Sequence, residues 1–159
     1  MNSENNIKNA IFHKFSLLRK EKNIYTPEIE IKLKSFSEDI EDCYTGIVDT
    51  GSEITLFSSE VIQKYNFPST GTHRMLESAV CSNPIEILPC YGQIKVESEA
   101  KGNYKVIEIH SCNRKYLRQD ILLGMNFITK YNIHIYGAEE KLIIEEEKKT
   151  NFRLTVKIV

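Results

Sequence analysis

The chain has 159 residues, 41% of them hydrophobic and 27% charged, with a formal net charge of −1; these values suit a soluble globular fold of one domain. A near-neutral balance argues against a nucleic-acid binder, which carries a clear basic excess. No apolar run approaches the roughly 18 residues that span a membrane, and the polar N-terminus is not a secretory signal.

Residues 1–25 place Ile7, Ile11, Phe15 and Leu18 at helical spacing, with Lys8, Lys14, Arg19, Lys20 and Lys22 around them. The pattern predicts a basic amphipathic helix. Such a helix can meet a membrane or a partner; the plainer reading, adopted here, is a helix packed on the domain or a helical linker. From Pro27 the period changes to two. Ile29, Ile31 and Leu33 alternate with Glu30, Lys32 and Lys34, which marks a half-buried strand. Ser37 to Asp42 is an acidic turn, and Tyr44 to Val48 is a second strand.

That strand delivers the central motif, Ile47-Val48-Asp49-Thr50-Gly51-Ser52. One carboxylate sits on a glycine-containing turn at the end of a buried strand, and Ser52 is small where a bulky side chain would crowd its neighbours. Ile54, Leu56 and Phe57 then form another apolar stretch. Asp-Thr-Gly between two strands is the signature of aspartic proteases. It occurs once here, whereas hydrolysis by this chemistry needs two facing aspartates, so the site calls for a second copy of the chain.

Ser58 or Ser59 caps a short helix containing Val61, Ile62 and Tyr65. Asn66 to Thr72, with Pro68 and Gly71, is a loop. From Arg74 to Val96, two apolar arms flank Ser82-Asn83-Pro84, a turn-forming cluster with Asn83 near the apex. Ile94 and Val96 are expected to pair with Val106 and Ile109 across a turn near Lys101-Gly102-Asn103. Asp120 to Phe127 reads as a buried apolar strand ending in Gly124, then a short helix. Ile133 and Ile135 face Leu142 and Ile144 across a turn at 137–140. Glu145 to Lys149 is a solvated charge run. Phe152, Leu154, Val156 and Ile158 alternate again, as a dimer-interface strand or as the start of a connection to a following domain. Many short strands with closely spaced turns point to a closed or sandwiched all-β fold.

The cysteines Cys43, Cys81, Cys90 and Cys112 form no Cys-x-x-Cys pair and have no zinc spacing with histidines, so no metal or cofactor is expected. They are read as free buried thiols, with a Cys81–Cys90 pair across the hairpin as the alternative. His13, His73, His110 and His134 are scattered. His110-Ser111-Cys112 does not make a nucleophile with its base, because adjacent strand residues point to opposite faces.

Asp49-Thr50-Gly51, followed about seventy residues later by Ile121-Leu122-Leu123-Gly124-Met125-Asn126-Phe127, resembles the retropepsins, the retroviral-type aspartic proteases. The polar tip Ser82-Asn83-Pro84, with Phe127 to Asn132 and Lys141 to Ile144, looks most like the proteases of plant pararetroviruses of the caulimovirus type. The tip departs from the glycine-rich flap of animal retroviral enzymes. The likeness spans Ile24 to Glu147. It implies a retropepsin-like closed β-barrel or sandwich with a flap hairpin and one short helix, here with an N-terminal helical extension. The expected organisation is an extension or linker over 1–25, a protease domain over 26–147, and a tail or interface strand over 148–159.

The resemblance also implies an aspartic endopeptidase, active as a homodimer on a viral or retroelement polyprotein, in the host cytoplasm or virus particle and not secreted. Asp49 is the implied catalytic residue, supported by Thr50, Gly51, Ser52 and Gly124. Thr50 would bond across the dimer axis, and the Ser52 hydroxyl would bond near the Asp49 carboxylate. Ser82, Asn83, Pro84 and Ile85 would form the flap that holds an extended substrate by strand addition. The terminal segments 24–33 and 152–159 are those expected to clasp the partner. A catalytically silent dimerising or peptide-binding module, or a cellular retropepsin-like domain, are the alternatives.

Overall fold

The computed structural model describes residues 10–19, 24–77, 82–97, 103–136, 141–145 and 155–157. Strand β1 (Ala10–Arg19) leads into β2 (Ile24–Lys34) and β3 (Glu41–Val48). The period-two pattern decides how β2 lies: Ile29, Ile31 and Leu33 are wholly buried, while Glu30 between them is exposed. β2 and β3 pair antiparallel from Glu28↔Ile47 to Lys34↔Glu41. The turn between them is tied by Ser35, whose N–H donates to the Ile40 carbonyl at 3.0 Å and whose hydroxyl donates to the Tyr65 carbonyl at 2.9 Å.

β4 (Leu56–Ser58) runs into helix α1 (Ser59–Lys64), with Ser58 as N-cap accepting the Val61 N–H. This is the cap expected from sequence, because a β-region serine can satisfy a first-turn N–H that has no partner in the helix. Val61 and Ile62 are buried on the core side, and Tyr65, at the C-cap, is fully buried. Its hydroxyl donates to Asp42 at 2.6 Å, and Lys64 reaches the same carboxylate at 2.9 Å.

A hairpin follows, made of β5 (Arg74–Leu76) and the long β6 (Ile85–Val96). β6 pairs antiparallel with β7 (Lys105–Cys112). A short 3-10 helix (Arg114–Tyr116) leads to β8 (Ile121–Leu123) and helix α2 (Met125–Ile128). β9 (Asn132–Tyr136) and β10 (Lys141–Glu145) form the last hairpin, and β11 (Thr155–Lys157) lies parallel to β9.

The described strands form one sheet in the order β11-β9-β10-β1-β2-β3-β8-β4-β7-β6-β5, and an extra pairing of β2 with β6 curls it back on itself. That pairing, Ile31↔Val96 to Lys34↔Gln93, closes the ring around the main core. Ile29, Ile31, Phe57, Tyr65, Ile94, Ile109, Ile121 and Phe127 fill it. A smaller cluster of Leu56, Ile85, Ile87, Cys112 and Leu117 lies under the β5–β6 hairpin.

Four expectations need correction. The helix expected over residues 1–25 is strand β1 across 10–19; residues 1–9 and 20–23 lie outside the described residues. The helical spacing of Ile11, Phe15 and Leu18 is filled in by Phe12 and Leu17, so the segment has no clean polar face. Both its edges find strand partners, β10 at Ile11↔Ile144 and β2 at Leu17↔Tyr25. Second, Val106 lies opposite Gln93 and Ile109 opposite Cys90, not Ile94 and Val96. Val106 is accordingly 59% exposed. Third, residues 31–33 offer no open strand edge, because they pair with both β3 and β6; residues 24–27 pair with β1 alone. Last, Cys90 and Cys112 are free and buried as expected, but Cys43 is exposed; Cys81 lies outside the described residues.

Candidate active site

The two halves of the expected site come together at the end of β3. Ile47 and Val48 pair parallel with Leu122 and Leu123 of β8, and the Asp49 N–H donates to the Leu123 carbonyl at 3.0 Å. The chain then turns on its own side chain: the Gly51 N–H donates to Asp49 Oδ1 at 2.9 Å, and the Ser52 N–H to the Asp49 carbonyl at 3.3 Å. An aspartate bonding the backbone two residues on is a turn in itself, and it fixes the carboxylate. A Cβ on Gly51 would lie 3.2 Å from Asp49 Oδ1, tight enough to disturb that bond. Asp49 is half-buried, while Thr50 and Gly51 are exposed.

Gly124 packs against this loop more closely than any side chain allows. A Cβ there would lie 2.2 Å from the Ile54 carbonyl oxygen and 2.9 Å from that of Ser52. Its neighbours use the closeness: the Met125 N–H donates to the Ser52 carbonyl at 2.8 Å and the Asn126 N–H to the Glu53 carbonyl at 3.2 Å. The Ser52 hydroxyl donates to the Ile54 carbonyl at 2.7 Å. Its bond therefore closes its own turn beside the Asp49 loop.

Two side chains that sequence reasoning did not assign complete the support. The wholly buried Thr55 donates its hydroxyl to Asn126 Oδ1 at 2.7 Å and accepts the Gly124 N–H at 3.1 Å. The Asn126 amide donates to the Glu108 carbonyl at 2.6 Å, tying α2 to β7. A signal was present: a single threonine inside the apolar run Ile54 to Phe57 is a buried hydroxyl that needs a partner.

Above the loop is a cleft of about 810 Å³. Asp49 and Gly51 lie on its floor, Leu76, Glu77 and Ile85 come from the hairpin, and Leu117 to Gln119 close one side. The hairpin is therefore placed as a flap. Its last described pair is Leu76↔Ile85. Ser82, Asn83 and Pro84 are exposed. Ile85 is buried and faces the cleft. Residues 78–81 lie outside the described residues.

The chemistry available is that of one oriented carboxylate facing a partly apolar cleft. No group of His, Cys, Asp and Glu side chains suited to a metal ion occurs among the described residues. The buried thiols are poor nucleophiles: burial raises Cys90, and raises Cys112 to about 11. His110, beneath the flap on β7, is held below its ordinary range by burial. Its Nδ1 has no hydrogen-bond partner among the described residues, and its Nε2 lies 3.7 Å from Glu108. Neither side chain lines the cleft.

No protein-family model and no curated protein sequence matches the chain. Among solved structures it is similar to a retropepsin-like aspartic protease from Rickettsia conorii, at 18% identity and a TM-score of 0.55, over 85% of this chain and 89% of that one. It also matches the retroviral protease-like domain of Ddi1 from Leishmania major (13% identity, TM-score 0.46, 78% and 90% of the two chains) and EIAV protease complexed with the inhibitor HBY-793 (12%, 0.44, 66% and 86%). At these identities the likeness to the Rickettsia protein bears on architecture alone: this chain has a retropepsin-like fold.

Proposed function

We propose that this chain is an aspartic endopeptidase that works as a homodimer. The observation that carries the reading is the Asp49 carboxylate, fixed by the Gly51 N–H on the floor of a cleft and roofed by a flap hairpin. Two copies of Asp49 would face each other across a two-fold axis. Like charges about 3 Å apart do not both ionise, so the pair shares one proton. The ionised member takes a proton from a water held between them, and the protonated member donates to the scissile carbonyl oxygen. Thr50, exposed beside Asp49, is free to bond its counterpart across the axis. The substrate is a polypeptide, and in this reading the polyprotein of a virus or retroelement, of pararetroviral type, in the host cytoplasm or virus particle.

The test is digestion of a polyprotein segment, or of a denatured protein, by the wild-type chain and by Asp49→Ala. Cleavage should vanish in the variant while its circular dichroism is unchanged. Activity should follow a bell in pH with a mildly acidic optimum, survive chelators, and stop with a statine-type transition-state mimic. Undiminished cleavage by Asp49→Ala rejects the reading.

A further inference from the structure

Resting on that reading, the geometry points to the charge of the substrate: we infer that the peptide carries an acidic side chain in the subsite walled by Arg118. Among the described residues that line the cleft, Arg118 is the one basic side chain. It is exposed and makes no ion pair among the described residues. The other charged groups of the cleft are carboxylates, Asp49, Glu53 and Glu77.

What makes Arg118 a subsite wall rather than a loose surface charge is its backbone. Asn113 caps the 3-10 helix by accepting the Lys115 N–H at 3.0 Å. The Arg114 guanidinium then folds back over the loop. Its Nε meets Asp120 Oδ1 at 2.9 Å, its Nη2 donates to the Arg118 carbonyl at 3.1 Å, and its Nη1 donates to the Leu117 carbonyl. The far end is anchored where the Ser58 N–H donates to the Asp120 carbonyl at 2.8 Å. Leu117 is buried in the cluster under the flap, and Gln119 donates to Glu28. Arg114 thus uses its own charge on Asp120 and holds the Arg118 backbone, while the exposed Arg118 side chain lines the cleft with no ion pair among the described residues.

An extended peptide drawn under the flap displaces water from that guanidinium. A substrate carboxylate there restores its partner. A lysine there meets a like charge, and a neutral residue leaves the charge less solvated than before. Elsewhere along the cleft Glu53 and Glu77 oppose acidic side chains, so the preference is confined to one position on each side of the scissile bond in a two-fold dimer. Rim ion pairs contribute up to about 1 kcal/mol, so a matched Glu/Lys peptide pair should differ by roughly fivefold in kcat/KM.

The experiment profiles cleavage sites in a proteome-derived peptide library by mass spectrometry, using the full chain, Arg118→Glu, and Asp49→Asn as blank. The wild type should enrich Asp and Glu at one fixed distance on each side of the cut, and Arg118→Glu should replace that with Lys and Arg. Asp49-dependent cleavage with no acidic enrichment, or with an enrichment that Arg118→Glu leaves unchanged, overturns this inference and leaves the protease reading standing. No Asp49-dependent cleavage of any peptide removes both.

Discussion

The Thr55 hydroxyl joins the two loops of the site: it donates to Asn126 at 2.7 Å and accepts the backbone N–H of Gly124 at 3.1 Å. Both partners belong to the segment after β8, while Thr55 follows the aspartate turn. Thr55→Val keeps the shape and removes the bonds. It leaves the Gly124 N–H unpaired in a dry setting, a loss of about 1–3 kcal/mol. Urea unfolding should show a lower midpoint at unchanged slope. A midpoint equal to wild type would mean that the bond across the loops contributes nothing.

Gly124 offers a sharper test of the same contact. A methyl group there would overlap the Ile54 carbonyl, which is backbone and cannot rotate aside. Gly124→Ala should lose about 3 kcal/mol, at the upper end of overpacking costs. Gly71→Ala is the control, since nothing lies within 4 Å of its added Cβ; it should be neutral or stabilised by a few tenths of a kcal/mol. Equal thermal midpoints for the two variants would refute the packing argument.

The parts legible in sequence are those set by local pattern. Ile29, Ile31 and Leu33 alternate and are buried. Ile133 and Ile135 face Ile144 and Leu142 in the expected register, because a hairpin turn leaves little choice. Gly124 stood out because a glycine between a buried strand and a helix usually marks close approach. Closure of the ring by β2 on β6 was not legible, since no local pattern records a pairing between strands so far apart in sequence. β1 was misread because Ile11, Phe12, Phe15, Leu17 and Leu18 satisfy two periods at once, and neighbouring strands decided between them. At the site, Asp49 and Gly51 were readable as a turn. Thr55 with Asn126, and Arg114 with its loop, were not, because their partners are set by the tertiary fold.

His110 should make the fold acid-sensitive. Burial is the main cause of its lowered pKa; Glu108 opposes that shift and Arg74 adds to it. The folded state therefore binds the proton less readily than the unfolded chain. Stability is full above the unfolded value of about 6.5 and declines as pH falls from there toward the folded pKa. His110→Gln should flatten the curve of unfolding free energy between pH 7.5 and 5.5, measured by urea titration at each pH. Asp42 acts in a lower window. The Tyr65 hydroxyl, then Lys64, hold its carboxyl below the usual range, so its contribution is present above about pH 4 and is lost as pH falls through the folded value. A wild-type curve already flat from 7.5 to 5.5 would contradict the burial of a neutral His110.

The final prediction concerns association, since in the proposed reading one Asp49 per chain is half of a dyad. A monomer supplies no second aspartate on such a turn, and Glu53 and Glu77 line the cleft without the backbone bond that orients Asp49. Specific activity should therefore fall on dilution below the dimer dissociation constant. Residues 31–33 of β2 pair with both β3 and β6, which removes that stretch as an edge-on clasp. β11 stands at the end of the sheet order, paired with β9 through Val156↔Ile135, and is better placed to extend a sheet into a second copy. Deleting residues 150–159 should shift the concentration at which activity is lost upward, with little effect on the monomer's thermal midpoint. Mixing in Asp49→Asn chains tests the shared site directly. At ninefold excess, random pairing leaves about one tenth of wild-type chains in fully competent dimers, and activity per wild-type chain should fall to about that share. Sedimentation that finds a fully active monomer at the assay concentration, or mixing that leaves activity unchanged, would refute the half-site argument and require a second carboxylate from the same chain.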